Sequence, residues 1–474
     1  MEVTFKYIPK EGEEVRRVDL MGTFNKWRAG VNPMNFVPEK NLWETTLDLP
    51  AGVYEYKFLV NNSDWYHDPY GRCFIENEVG SLNTLIKVGE ENTIFHASFY
   101  PIKPTIDDKI TIYSRKSGAI IWSLNGWNPY PRGYLHKTIQ DLAVNVYRME
   151  RSPVDNFYQY TLGPFNKGII PELIVYSFIF EDAQVDDNVG KKYYLPLDLK
   201  LGGNTVEDSF FSKYLKIEKH FRVYLPKGYS AENYTPYPAV YLIHGYGGSW
   251  KGDWLQTSIV KKMADKYNLL LVWPDGNVKV GNKIVPGWYI NSPVVDTAKM
   301  ESYIIKELIP YVERKYNASS CAKKRAIGGI SMGGFGAMYL GTKYNRVFKV
   351  IASMSAIYNL YQYKELPDVK TLIPDEEAWD AYTFNAIELA KYTKNTNFYF
   401  IVGDEERGAL KDNFLLKINM MENKLKHEFH LYPGAHNNNF WRVHLQEMME
   451  FIGKHLTEDV AKTTKLTKSK ANGL

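Results

Sequence analysis

A serine stands between two glycines in Gly329-Ile330-Ser331-Met332-Gly333, in the order G-x-S-x-G. In a nucleophile elbow, this order forms a sharp turn between a strand and a helix that lifts the serine hydroxyl off the sheet. Glycine is needed two residues to either side because side chains there would collide with the crossing chain. The turn also aims the N–H of Met332 at an oxyanion. The pattern predicts that Ser331 attacks a carbonyl carbon, with a purely structural glycine-rich turn as the alternative.

A serine nucleophile needs a general base, and the base needs a carboxylate that orients it. His436 follows the end of a predicted strand, in Tyr432-Pro433-Gly434-Ala435-His436-Asn437. Loops at strand ends deliver catalytic groups in parallel sheets, so His436 is the predicted base. The other histidines after Ser331 fall in or beside a predicted strand or on the last predicted helix, where packing roles are expected: His427, His430, His444 and His455.

The orienting carboxylate is expected after the strand that precedes the His436 strand. Three acidic residues, Asp404, Glu405 and Glu406, directly follow Gly403 at that point. A carboxylate there would hold the imidazole tautomer and stabilise the imidazolium. Because Asp and Glu can both do this, the residues alone leave the choice open.

From about residue 207, predicted strands alternate with predicted helices, which indicates a mostly parallel sheet. Four segments of this region, taken as a set, resemble the esterase D family of α/β-hydrolases. They are Tyr-Leu-Ile-His-Gly-Tyr-Gly-Gly-Ser (241–249), Val-Trp-Pro-Asp-Gly (272–276), Gly-Ile-Ser-Met-Gly-Gly (329–334) and Tyr-Pro-Gly-Ala-His (432–436). That family includes feruloyl and acetylxylan esterases, enterochelin esterases, S-formylglutathione hydrolase and mycolyltransferases.

The resemblance implies roles for further residues. The backbone N–H of Tyr246 would be the second oxyanion donor, beside that of Met332. Many members carry an Asp three positions after the glycine that ends the strand, and the matching residue here is Glu406. Glu is one methylene longer, so Glu406 is the predicted acid and Asp404 stays as the alternative.

Three residues near these motifs have simpler expected roles. His244 is interpreted as structural rather than as a second catalytic histidine. Trp288 and Tyr289 follow a Pro-Gly turn and, on position alone, are expected to line the pocket for the ester.

Residues 1–90 alternate in polarity and break often, which predicts a small antiparallel β-sandwich. Four blocks in this segment resemble the glycogen-binding module of the AMP-activated protein kinase β subunit and of branching enzymes. They are Gly-Thr-Phe-Asn-Lys-Trp (22–27), Tyr-Glu-Tyr-Lys-Phe (54–58), Asp-Trp-Tyr-His-Asp-Pro (64–69) and Gly-Ser-Leu-Asn (80–83). The resemblance implies that the indoles of Trp27 and Trp65 stack on glucose rings. Lys57 and Asn83 would then hydrogen-bond sugar hydroxyls, with packing roles as the alternative.

The predicted fold class is multidomain: two N-terminal all-β, immunoglobulin-like sandwiches followed by an α/β-hydrolase domain. The expected boundaries are 1–90 for the carbohydrate-binding sandwich, 91–205 for a second sandwich and 206–457 for the esterase domain. A polar, lysine-rich flexible tail would cover 458–474. The second sandwich is as readily a spacer as a second sugar site, so no binding residues are assigned to it.

Charge and cysteine content argue against several kinds of binding partner and site. The 474-residue chain has a net charge of only +4, which argues against nucleic acid and against an acidic membrane surface. Its two cysteines lie far apart in sequence, so neither a disulfide framework nor a zinc cluster is expected. No metal or organic cofactor is predicted. The first residues lack a signal-peptide pattern, so a cytoplasmic location is expected, although a cleaved leader would leave the same sequence.

These observations predict a serine carboxylic ester hydrolase that acts on acylated carbohydrates, as acetyl or feruloyl esters, or on small esters. The expected partners are a polysaccharide and an ester substrate. Two alternatives remain open at this point. One is an acyltransferase that passes the acyl group to a sugar hydroxyl, and the other is a glycan-binding protein with an inactive hydrolase domain.

Overall fold

A computed structural model describes residues 1–9, 13–71, 73–78, 81–89, 97–126, 145–153, 157–165, 168–186, 192–252, 254–374, 376–381 and 383–471. The described chain forms two compact units. The first holds residues up to Leu199, and the second is formed by the chain from Lys200 onward. The expected boundary near residue 90 lies outside the described residues, so the division of the first unit into 1–90 and 91–205 stays a prediction.

The N-terminal part of the first unit consists of eight strands: β1 (Glu2–Tyr7), β2 (Val18–Gly22), β3 (Asn35–Val37), β4 (Leu42–Asp48), β5 (Gly52–Val60), β6 (Asp64–Tyr66), β7 (Phe74–Glu76) and β8 (Leu82–Val88). They form a three-stranded sheet, β1-β4-β3, and a five-stranded sheet, β2-β5-β8-β7, in which β6 also pairs with β5. Side chains of both sheets share one core, including Phe5 from β1 and Phe58 from β5. Alternating apolar residues therefore build the expected antiparallel sandwich.

The rest of the first unit is also all-β, with strands β9 (Ala97–Tyr100), β10 (Ile110–Ser114), β11 (Gly118–Leu124), β12 (Asn145–Arg148), β13 (Glu150–Arg151), β14 (Tyr158–Leu162), β15 (Leu173–Phe180), β16 (Val185–Asp186) and β17 (Tyr193–Pro196). One sheet has the order β13-β14-β10-β9, and the other has the order β12-β11-β15-β16 with β17 beside β15. Tyr147 and Tyr160 stack across the two sheets with ring centroids 5.0 Å apart. The mostly β content is as predicted, and an immunoglobulin-like topology stays a prediction.

The second unit contains one eight-stranded sheet in the order β18-β19-β21-β20-β24-β25-β26-β27. Its strands are β18 (Asn204–Ser212), β19 (Ile217–Leu225), β20 (Ala239–Ile243), β21 (Leu270–Pro274), β24 (Arg325–Ile330), β25 (Val350–Met354), β26 (Asn397–Gly403) and β27 (His427–Tyr432), and a separate hairpin pairs β22 (Asn277–Val280) with β23 (Lys283–Pro286). In this spatial order, every pairing from β21 through β20, β24, β25 and β26 to β27 is parallel. The central strands are continuous apolar runs because helices cover both faces of such a sheet.

The helices are α1 (Ser258–Tyr267), α2 (Met300–Ser302), a π-helical segment (Tyr303–Leu308), α3 (Ile309–Lys315), α4 (Met332–Lys343), α5 (Pro367–Leu372), α6 (Glu376–Ala381), α7 (Ala386–Ala390), α8 (Arg407–Glu422) and α9 (Asn438–Ala471). Short 3-10 turns lie at Thr23–Asn25, Pro38–Lys40, Trp254–Gln256, Ala322–Lys324 and Leu360–Tyr363. The helical stretch formed by α2 and α3 contains the π-helical turns in its middle. Helix α9 continues through residues 458–471, where the sequence predicts a tail.

Candidate active site

The predicted site residues follow the carboxyl ends of neighbouring strands in the parallel part of the sheet. His244 follows β20, Ser331 follows β24, Glu406 lies three residues after β26, and His436 lies four residues after β27. These strands, with β25, are consecutive in the sheet. Because parallel strands end at the same edge, residues hundreds of positions apart in a chain can meet there.

Ser331 has the backbone conformation of an elbow, with φ 56° and ψ −120°. A positive φ is costly for a residue with a Cβ atom, and it persists only where the surroundings fix it. A Cβ on Gly329 would collide with the backbone of Gly333, and one on Gly333 would collide with the carbonyl oxygen of Ile243. The two glycines are thus required by close backbone contacts, for the steric reason expected from the sequence.

A chain of hydrogen bonds joins the three predicted residues. Nε2 of His436 lies 3.0 Å from Oγ of Ser331, and Nδ1 lies 2.7 Å from Oε2 of Glu406. An ionised carboxylate only accepts, so Nδ1 carries the ring proton and Nε2 can accept the serine proton. His436 keeps 47% of its side chain exposed, whereas that of Glu406 is 1% exposed. The geometry permits a proton to move from Ser331 to the imidazole.

The three acidic residues after β26 have different positions. The backbone N–H of Gly403 donates to Oε1 of Glu406 at 2.8 Å, which turns that side chain back over the strand end. Asp404 is exposed and accepts from the N–H of Gly434 at 3.0 Å. Glu405 is also exposed. Glu406 is therefore the acidic residue that contacts His436, and the extra methylene is accommodated by this fold of the side chain.

The two predicted oxyanion donors are backbone N–H groups in segments next to Ser331: Met332 follows it, and a Cβ added to Gly245, beside Tyr246, would lie 3.6 Å from Cβ of Ser331. Met332 is the first residue of α4, so its N–H has no acceptor within the helix. Tyr246 lies in the loop after β20, and that loop is fixed by its neighbours. The hydroxyl of Tyr289 donates to the carbonyl oxygen of His244 at 2.8 Å, and Asn277 Nδ2 donates to that of Gly248 at 3.1 Å. Fixed donors of this kind are what an oxyanion needs.

His244 is buried and helps to hold this loop. Its Nε2 accepts from the N–H of Gly276 at 2.7 Å, so the ring proton lies on Nδ1 and is donated to the carbonyl oxygen of Gly245 at 2.8 Å. Both ring nitrogens are used within the fold, as expected for a structural histidine.

Trp288 and Tyr289 are neighbours in sequence, but their side chains contact different parts of the fold. The indole of Trp288 lies beside the ring of Tyr246 with centroids 6.2 Å apart, and its Nε1 donates to Asp368 at 2.5 Å. Tyr289 is fully buried beneath the His244 loop. The expectation that Tyr289 lines the ester pocket is therefore wrong, because its ring fills the core and its hydroxyl supports the loop.

Two residues at this edge were not identified from the sequence. Ser355 follows the end of β25 and donates to Oε1 of Glu406 at 2.7 Å. Trp441, on the first turn of α9, donates from Nε1 to Oγ of Ser355 at 2.8 Å and packs edge-on against His436. The position of Ser355 directly after a parallel strand was the sequence feature that could have indicated it.

The predicted sugar-binding residues lie on one face of the sheet β2-β5-β8-β7. Trp65 pairs with Leu59 of β5, two residues from Lys57, so the two side chains share a face. Asn83 on β8 donates to Glu55 of β5 at 2.8 Å, which places it on the same face. The indole centroids of Trp27 and Trp65 are 6.3 Å apart, and Trp65 is 46% exposed. Trp27 is half-buried, and the two indoles together can form a stacking surface.

Lys57 and Asn83 are nearly buried, at 4% and 3% exposure. Nζ of Lys57 donates to Oγ of Ser81 at 2.5 Å, and Asn77 donates to Oδ1 of Asn83 at 3.2 Å. Burial lowers the pKa of Lys57 to about 8. Both residues belong to a hydrogen-bonded network under the face, rather than to an open surface.

Comparison with known families finds matches for the N-terminal sandwich and for the second unit. A family model named Esterase matches residues 212–452, about half of the chain and nearly all of the second unit. The chain belongs to this esterase family. The assignments of an α/β-hydrolase-type domain and of a carboxylic ester hydrolase are therefore confirmed. A second model, the glycogen recognition site of AMP-activated protein kinase, matches residues 2–94 and confirms the N-terminal carbohydrate-binding module.

Individual relatives are similar to one part or the other of this esterase. An acetyl esterase of Caldicellulosiruptor saccharolyticus is 25% identical over 274 residues, which is 52% of this chain and 97% of that protein. The β-1 subunit of the 5'-AMP-activated protein kinase of Sus scrofa is 34% identical over 73 residues, 15% of this chain and 55% of the subunit. An S-formylglutathione hydrolase structure from Agrobacterium tumefaciens has 20% identity and a TM-score of 0.48, covering 55% of this chain and 98% of the other.

Metal clusters and membrane-spanning helices can be checked in the described residues. Within them, no group of three or more His, Cys, Asp or Glu side chains is arranged to hold a metal ion. Among the helices that the structure describes, none combines the length and apolarity needed to cross a bilayer.

Proposed function

We propose that this esterase hydrolyses acyl groups from carbohydrates by an acyl-enzyme mechanism, with Ser331 as nucleophile, His436 as general base and Glu406 as orienting acid. The observation that carries the proposal is the continuous hydrogen-bond chain from Ser331 through His436 to Glu406 at the edge of the parallel sheet. A structural glycine-rich turn would not need a histidine and a buried carboxylate aligned behind its serine.

In the first step, Nε2 of His436 takes the hydroxyl proton while Oγ of Ser331 attacks the ester carbonyl carbon. The carbonyl oxygen becomes an oxyanion, and the N–H groups of Met332 and Tyr246 stabilise it. The C–O bond to the alcohol then breaks, and His436 gives its proton to the departing oxygen. Glu406 stabilises the imidazolium without taking its proton.

In the second step, water replaces the alcohol. His436 takes a proton from the water, whose oxygen attacks the acyl carbon of the ester on Ser331. A second oxyanion forms between the same two N–H groups, and its collapse releases the carboxylic acid. The proton returns from Nε2 to Oγ, which restores the enzyme.

The substrate class is inferred from the combination of domains. A glycan held on the indole pair Trp27 and Trp65 would stay near the esterase unit through the covalent link, which raises the local concentration of its acyl groups. The relative with the longest match among those compared above is an acetyl esterase. Acetyl esters of polysaccharides, followed by feruloyl esters, are thus the first substrates to test.

The deciding experiment compares the wild type with Ser331→Ala on p-nitrophenyl esters from acetate to decanoate and on an acetylated glucan. Loss of a nucleophilic serine lowers kcat by about 10⁶ in a well-studied serine protease. We expect the wild type to release acetate from both kinds of substrate and the variant to release none above background.

Each outcome has a definite meaning. Equal rates for the wild type and Ser331→Ala would overturn the role of Ser331. Activity on p-nitrophenyl esters with none on the glucan would overturn the carbohydrate substrate. Acetyl transfer to added glucan in place of acetate release would replace the hydrolase by an acyltransferase.

A further inference from the structure

Ser355 has an unusual backbone conformation at a position that the mechanism above does not use. It directly follows β25, is 2% exposed, and has a positive φ of 54°. Its backbone N–H donates to the carbonyl oxygen of Ile401 in the neighbouring strand at 2.9 Å. A positive φ costs free energy in a non-glycine residue and persists only where surrounding contacts hold it. The conformation of Ser355 therefore indicates that its neighbours fix it in place.

The hydrogen bonds of Ser355 have a defined direction. The indole Nε1–H of Trp441 can only donate, so at 2.8 Å it makes Oγ of Ser355 the acceptor. The hydroxyl proton is then free to point at Oε1 of Glu406, 2.7 Å away. Together with the N–H of Gly403 at 2.8 Å, Oε1 receives two donors. Oε2 is left to His436.

We propose that Ser355 and Trp441 are positioning residues that lock the rotamer of Glu406, so that this longer acid meets Nδ1 of His436 at hydrogen-bond distance. The proposal rests on the proposed function of the Ser331, His436 and Glu406 set. Glu has one more rotatable bond than Asp, so its carboxylate needs an added restraint to hold the same geometry. The two donors on Oε1 supply that restraint.

Trp441 contacts the imidazole of His436 as well as Ser355. The ring centroids of Trp441 and His436 are 5.0 Å apart, with an interplanar angle of 88°. One side chain thus restrains the imidazole by packing and the carboxylate through Ser355. The two effects are separable, because Phe at position 441 keeps an aromatic ring and removes the N–H.

The test uses the full chain and two variants, Ser355→Ala and Trp441→Phe. Ser355→Ala removes a hydrogen bond to a charged group, which is stronger than one between neutral groups. We therefore expect this variant to lower kcat for p-nitrophenyl acetate about tenfold to a hundredfold. Trp441→Phe should lower kcat about three- to tenfold, because the Ser355 hydroxyl loses its fixed direction. KM should change less than twofold in both. The rate of Ser331 labelling by a fluorophosphonate should fall in parallel with kcat.

Ser212→Ala is the matched control. Ser212 is also fully buried and donates its hydroxyl to a glutamate, Glu307, at 2.5 Å. It lies at the end of β18, the opposite edge of the sheet from β27. We expect Ser212→Ala to lower the melting temperature and leave kcat at the wild-type value.

The outcomes separate this inference from the proposed function. If Ser331→Ala is inactive but Ser355→Ala and Trp441→Phe keep wild-type kcat, the positioning role is wrong and the triad stands. If Ser331→Ala matches the wild type, the proposed function itself fails. Should Ser355→Ala not fold, Trp441→Phe alone decides, since an unchanged kcat and labelling rate in that variant overturns the proposal.

Discussion

At the scale of single residues, Glu406 divides its two carboxylate oxygens between two tasks. Oε1 receives the donors from Gly403 and Ser355, and Oε2 faces His436. Its neighbour Asp404 lies on the surface and bonds to Gly434. The two acids are thus separated by only two positions in sequence but differ completely in their contacts.

The pair Glu406→Gln and Asp404→Asn tests this difference with matched changes. An amide at 406 leaves the volume intact but disturbs the imidazole tautomer, an effect of about 10⁴ on kcat in a serine protease triad. We expect a loss of about 10² to 10⁴ for Glu406→Gln and less than a twofold change for Asp404→Asn, measured as kcat on p-nitrophenyl acetate. A larger loss in Asp404→Asn would transfer the role of acid to Asp404.

We expect glycan binding to depend on pH through Lys57, whose Nζ donates to Ser81 in the network beneath the indole pair. Burial favours its neutral amine and lowers the pKa of Lys57 to about 8, so the ammonium is present at pH 7 and is largely lost at pH 9. Hydrogen bonds from a charged donor are stronger, so glycogen affinity should fall about three- to tenfold between these pH values. Binding isotherms on the full chain measure this.

Lys57→Met is the control for that titration. Removing the amine should weaken binding at pH 7 and leave an affinity that no longer varies between pH 7 and pH 9. A wild-type affinity that stays flat over the same range would contradict the role of the Lys57 charge.

At the scale of elements, five neighbouring parallel strands each end next to one residue of the site or its support. The elbow connects β24 to α4, and it requires the backbone of Gly333 to approach Ile243 at the end of β20. This close approach sets the distance between Ser331 and the loop that holds Tyr246. Packing of one turn against a neighbouring strand is therefore expected to set the geometry of both proposed oxyanion donors.

Two glycines in equivalent positions test this close approach. Gly333 is the second residue of α4 and Gly408 the second residue of α8. A Cβ at 333 would collide with the carbonyl oxygen of Ile243, whereas one at 408 would meet nothing within 4 Å. We expect Gly333→Ala to lower both the melting temperature and kcat. Gly408→Ala should stabilise the fold by about 0.5–1 kcal/mol and leave kcat unchanged.

Thermal melts and p-nitrophenyl acetate assays on the two variants measure the contrast. If Gly333→Ala melts and reacts like the wild type, the elbow tolerates a side chain and the steric argument fails.

At the scale of the whole molecule, a carbohydrate-binding module and an esterase domain share one chain. Under the proposed function, binding of a polymer by the module would turn its encounter with Ser331 into an intramolecular event. The benefit applies to esters attached to the bound glycan and not to small free esters. The ratio of kcat/KM on an acetylated glucan to that on p-nitrophenyl acetate therefore reports the contribution of the module.

Trp65→Ala should lower this ratio about tenfold, through a higher KM on the glucan, because the stacking surface is lost. Phe36→Ala is the matched control, since Phe36 is 44% exposed and lies on β3 in the other sheet of the same module. It should leave the ratio unchanged. Equal ratios in the two variants would mean that the indole face does not deliver the polymer.

Much of this protein could be predicted from local sequence. The elbow was recognisable because its G-x-S-x-G signature lies within five residues, and His436 because it follows a predicted strand end after Ser331. The strand patterns of the first unit and the alternation of strands and helices in the second followed from hydrophobic periodicity. Each of these features has a signature in a short run of residues.

The features that escaped the sequence depend on contacts between distant segments. The resemblance favoured Glu406 over Asp404, but the hydrogen bond to Glu406 from Ser355, 51 positions away, could not be predicted from the sequence. The burial of Tyr289, and of Lys57 and Asn83, reflects packing of side chains that look exposed in a one-dimensional pattern. The available chemistry could be predicted because residue types and short turns are encoded locally. Which groups meet became visible in the folded chain, because it depends on how strands far apart in the chain are brought side by side.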